Sequence, residues 1–99
     1  MTLATLANHL NGSPIQPLVE AQLVKIAGAD IRRSDLSPER RAWASNVLSA
    51  EGRVDSSRVM GMVLTNVTIA AKLEAGETPS DQEIEYVVVS EVLPLIAPS

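Results

Sequence analysis

Ninety-nine residues, 45% of them hydrophobic, make one domain with a modest core. No cysteine and a single histidine exclude disulfides and thiolate or multi-histidine zinc sites. A net charge of −4 argues against wholesale nucleic-acid binding, and the longest uncharged central run, Val59 to Ala71, is too short for the roughly 20 residues of a membrane helix.

Aromatic residues are scarce, with Trp43, Tyr86 and no Phe, so the core must come from Leu, Val, Ile, Ala and Met. A core of that kind leaves burial for a partner or a second copy to supply. Residues 25–58 hold seven basic and five acidic side chains, whereas residues 59–99 set Lys72 against six acids. This asymmetry suits head-to-tail contact between copies, acidic end to basic middle. The opening MTLATLANHLNG lacks the basic start and long apolar run of a secretory signal.

Leu3, Leu6 and Leu10 follow helical spacing, and Asn11-Gly12 stops a short N-terminal helix over residues 1–12. Ser13 is a possible cap for the next helix, but Pro17 would then stand where a backbone N–H is needed. A start near Gln16, with Pro17 first, is the better reading. Leu18, Val19, Gln22, Leu23 and Ile26 form its mixed apolar face, up to Gly28. GADIRRSDLS (28–37) then reads as a loop with Ile31 as its apolar anchor.

Ser37-Pro38-Glu39 opens the following helix, with Ser37 as cap, Pro38 first and Glu39 at the positive end of the helix dipole. Trp43, Ala44, Val47 and Leu48 make its buried stripe, and Gly52 ends it. Asp55 or Ser56 caps the longest helix, about 56–75. Val59, Met60, Val63, Val67, Ala70 and Ala71 share one face, and Met62, Ile69 and Leu73 another. A helix apolar almost all round is buried on more than one side, so this one is expected to be central. Gly61 within it implies a close neighbour, because glycine there costs about 1 kcal/mol against Ala. Gly76 ends it.

The stretch ETPSDQEIEYVVV (77–89) sets a helix start against strand-favouring Tyr86 and valines. Thr78 caps with Pro79 first, or Ser80 caps with Glu83 closing a Ser-x-x-Glu box. The spacing of Ile84, Val88, Val92 and Leu95 follows a helix, and a strand would put valine on both faces. The reading is a helix over about 80–93 that Pro94 ends or kinks. The fold class is all-α: a single compact bundle of four to five helices around the 56–75 helix.

No pattern in the sequence points to catalysis. His9 stands alone near the terminus and reads as a surface histidine. Asp81, Glu83 and Glu85 resemble paired carboxylates, but helix-start electrostatics explains them. No phosphate loop follows a strand, and nothing implies a cofactor, a metal or a small-molecule substrate. Arg32, Arg33, Arg40 and Arg41 form the one basic segment. Asp30, Asp35 and Glu39 interleave with them and dilute the field, which disfavours nucleic acid. Trp43 anchors either the core or an interface. The interface candidates are Arg32, Arg33, Arg40, Arg41, Trp43, Glu83 and Glu85.

From Arg40 onward, ERRAWASNVLS, the Arg58-Val59 start of an aliphatic helix, and TPSDQEI occur in order. Across residues 40–97 this order resembles small uncharacterised helical proteins encoded among the virion genes of tailed bacteriophages. The resemblance implies a non-enzymatic structural or assembly protein of the virion, made in the host cytoplasm. Its partners would be other virion proteins and copies of itself. It assigns no functional residue. An acidic inhibitor of a host protein, acting through the Glu77–Glu91 face, is the alternative. A small DNA-binding regulator would rest on the arginine pairs alone.

Overall fold

The computed structural model describes residues 15–98, and they are all-helical, with no strand among them. The expected 1–12 helix and His9 lie outside the described residues. Helix α1 spans Gln16–Ile31, α2 Pro38–Ser49, α3 Ser56–Leu64, α4 Val67–Glu74 and α5 Asp81–Val87. Helix α5 then runs through a π-helical turn, Val88–Val92, into a short final helix α6, Leu93–Ile96.

Helix α1 starts at Gln16 with Pro17 in its first turn, as the proline chemistry requires. It does not stop at Gly28, as expected, but continues to Ile31. Its buried row is Val19, Leu23, Ala27 and then Asp30. The fourth member looks like a loop residue in the sequence because it is charged, and it can be buried because Arg40, ten positions away, neutralises it. The loop is therefore only 32–37, and Ile31 is no anchor: it is 45% exposed.

Ser37 caps α2 as its hydroxyl accepts from the Arg40 N–H at 3.1 Å, and Pro38 occupies the first turn. Ala44 and Val47 are buried and Trp43 packs partly buried against the core, while Leu48 is exposed. The exit is a Schellman pair: the Gly52 N–H donates to Val47 O at 2.9 Å and the Glu51 N–H to Leu48 O at 3.2 Å. Glu51 occupies the left-handed position at φ 54, and Gly52 follows at φ 83. A Cβ on Gly52 would sit 2.5 Å from the backbone oxygen of Glu20, so glycine lets α1 and this turn touch.

The expected 56–75 helix is two helices. The Asn66 Oδ1 accepts from the N–H groups of Thr68 and Ile69, at 3.0 and 3.1 Å, and starts α4. The Thr65 hydroxyl donates to Gly61 O at 2.9 Å and so finishes α3. Two polar side chains thus offer the backbone a break that the continuous apolar pattern conceals. Gly61 has no close neighbour either, since a Cβ there would meet nothing within 4 Å. Helix α3 supplies Val59, Met60, Val63 and Leu64 to the core, while α4 buries Ile69 alone. Helix α1, packed against α2, α5 and the π turn, is the more central element.

Ser80 and Glu83 close the expected capping box on α5. Ile84, Val87, Val88 and Val92 face the core, and Leu95 is 61% exposed rather than part of that row. Pro94 neither ends nor sharply breaks the helix. A proline ring crowds the carbonyl four residues back. The preceding turn widens, and the Leu93 N–H donates to Val88 O, five positions earlier.

Candidate functional site

The ends of the bundle use their polar residues differently. At the α1–α2 end, the Arg40 Nε donates to Asp30 Oδ2 at 2.6 Å, with both side chains largely buried. The same guanidinium lies 5.1 Å from the Trp43 ring centroid and reaches Pro98 O at 3.5 Å. Arg41 donates twice to the carbonyl of Arg33, at 3.2 and 2.7 Å, and Arg33 pairs with Asp35 at 2.6 Å. The Asp35 carboxyl is pulled below its usual range, first by the hydrogen bond from Arg33. Arg33, Arg40 and Arg41 thus close the α1–α2 connection. Arg32 is exposed beside Ile31.

At the α4–α5 end the polar residues clamp two helices and leave space between them. The Asn66 amide donates to both carboxylate oxygens of Glu91, at 3.1 and 3.0 Å. Lys72 pairs with Glu83 at 2.6 Å. The Glu83 Oε1 also accepts from the Ser80 N–H at 3.0 Å. These bonds, led by that of Lys72, hold the Glu83 carboxyl down at about 2. Glu85 reaches across to Lys25 at 3.5 Å.

Between α4 and α5 runs a groove of about 220 Å³. Ile69 and Val87, both buried, form its floor, and Tyr86 and Glu83 contribute to its wall. Its volume falls below the roughly 300–1,000 Å³ of most small-molecule sites, and suits a side chain or two better than a metabolite. Tyr86 is 67% exposed and Val67, at the start of α4, 83% exposed. From residue 66 to 91 one lysine stands against six acids.

The sequence candidates therefore separate. Arg33, Arg40, Arg41 and Trp43 gather at the α1–α2 connection, while on α5 Glu83 lines the groove and Glu85 turns toward Lys25 of α1. Tyr86, Ile69 and Val87 were not singled out as site residues. Tyr86 carried the one available signal, an aromatic inside an otherwise aliphatic helix. The pairing of α4 with α5 that creates the groove follows from tertiary packing, which no local pattern announces. No helix of the described residues is long and apolar enough to cross a membrane. No group of three or more His, Cys, Asp or Glu residues among them is placed to hold a metal ion.

Fold and surface together define a small all-helical bundle with a groove of apolar floor between α4 and α5. No protein-family model matches the chain, and neither a curated protein nor a solved structure does so.

Proposed function

We propose that this chain is a non-enzymatic structural or assembly protein acting through protein–protein contacts, in keeping with its resemblance to tailed-bacteriophage virion proteins. The observation that carries the reading is the α4–α5 groove, with Tyr86 and Val67 standing exposed in the same part of the molecule. Large apolar side chains gathered beside a groove favour a macromolecular partner. The use of Glu83 supports a non-catalytic role: its carboxylate is occupied by Lys72 and by the start of α5.

Native mass spectrometry and light scattering test the reading on the full chain, alone and with the particle proteins of its source. Complexes should form and should be lost in the Tyr86→Ala/Val67→Ser double variant. A chain that stays monomeric with every such component overturns it. The α5 side of the groove, Ser80 to Val87, falls within Glu77–Glu91, which favours one second reading, an acidic inhibitor of a host protein. That reading expects a single stoichiometric host protein on the groove, and no particle component.

A further inference from the structure

The groove needs an occupant with an exposed apolar side chain and positive charge beside it. The molecule carries that combination at the α1–α2 connection. Ile31 closes α1, is 45% exposed, and is followed directly by exposed Arg32. Arg41, also exposed, lies in the same corner through its bonds to Arg33 O. The groove offers an apolar floor and wall in Ile69, Val87 and Tyr86, and exposed Asp81 stands in the first turn of α5 next to its lining residues Ser80 and Gln82. Lys72, the one cation between residues 66 and 91, is already paired with Glu83.

The two surfaces do not coincide. Arg40 ties the α1–α2 corner to Pro98, past the end of α6. The groove ends near Val87. Nine further residues of continuous helix reach Ile96, about 13 Å at the helical rise. Within a body of 43 × 21 × 18 Å this places them apart. A contact between unlike patches that the second copy does not return is heterologous, and it propagates into a ring or a filament.

We propose that the occupant of the α4–α5 groove is a second copy of this chain, inserting Ile31 with Arg32 lying against Asp81. This rests on the protein–protein reading above and names its partner. Charge complementarity sets the direction, acidic groove to basic corner, and the apolar plug supplies the desolvated centre. One copy keeps a free corner and the other a free groove, so growth continues from both.

Mixing two blocked variants tests this in sedimentation velocity and light scattering. Ile31→Asp destroys the plug and leaves the groove. Tyr86→Lys spoils the groove and leaves the plug. Both sites are exposed, and far-UV circular dichroism checks that each variant keeps its helices. The wild-type mass should climb with concentration above the 10.5 kDa monomer, and less so at high salt. Each variant alone should stay monomeric, and their equimolar mixture should give one heterodimer of twice the monomer mass that grows no further. Arg32→Glu should weaken wild-type association several-fold, mainly at low salt.

A wild-type chain monomeric at every concentration, or a mixture that fails to pair, overturns the inference. A complex with a different protein that is lost in Tyr86→Lys and unchanged in Ile31→Asp also overturns it, while leaving the protein–protein reading intact.

Discussion

The α1–α2 end and the α4–α5 end use similar residues to opposite purposes. In the first, arginine, aspartate and tryptophan turn inward: Asp30 and Arg40 pair, and Trp43 lies under the guanidinium. In the second, charged side chains clamp helix to helix at the edge, and a single buried residue, Ile69, holds α4 down. The first end fastens the α1–α2 connection with its own polar groups and leaves Ile31 and Arg32 outside. The second keeps apolar surface at the solvent boundary. A basic segment in a sequence is thus no guide to a binding surface until its partners within the chain are known.

The comparison is broken most severely at Arg40. Arg40→Ala leaves the Asp30 carboxylate buried and uncompensated and should destabilise the fold by about 3 kcal/mol in urea denaturation. The paired change Asp30→Leu/Arg40→Met should recover most of that loss. If Arg40→Ala is neutral, the inward role of the pair is wrong. Slightly smaller is Gly52→Ala, where positive φ and the Glu20 backbone both oppose a side chain. A loss of about 2 kcal/mol is expected, again by denaturation.

Smaller effects sharpen the contrast. Glu51→Gly should stabilise by about 0.5 kcal/mol, because Glu51 holds the left-handed position of the α2 exit. The gain stays small because glycine also frees the unfolded chain. At the other end, Tyr86→Ala should change stability by less than about 0.5 kcal/mol while removing association, because Tyr86 is mostly exposed.

Acid gives a further test of the α4–α5 clamp. The Glu83 carboxyl is lowered in the folded chain from 4.5 to about 2. A depressed folded value means that its contribution is whole above about 4.5 and fades as pH falls toward 2. Glu83→Gln should therefore flatten the fall in melting temperature across that window. An unchanged acid profile would show that the Lys72 and Ser80 bonds contribute nothing.

Much of the fold is legible in the sequence where a side chain bonds its own helix. Ser37, Ser80 with Glu83, and the Gly76 exit act within a few residues of themselves, so their types and spacing announce them. The failures lie where local patterns compete. Asn66 is a good cap, yet Val63, Val67, Ala70 and Ala71 continue an apolar row across it. Asp30 has the look of a loop residue, and only Arg40 makes it a core residue. The widened turn before Pro94 depends on a backbone carbonyl finding a different donor. The groove was the least legible feature, because it needs α4 and α5 side by side with Ile69 between them. Glu83 and Glu85 pointed to the right helix for reasons of charge, while Tyr86, beside them, lines the groove.

The central claim is that the α4–α5 groove receives this protein's partner and that the outer side of α2 around Leu48 does not. A photoreactive benzoylphenylalanine at position 86, compared with the same group at Leu48 on the exposed side of α2, tests it most directly. Strong cross-linking from position 86 to a defined protein product, with little from position 48, is predicted. Equal yields from the two positions, or a product from position 48 alone, would contradict it.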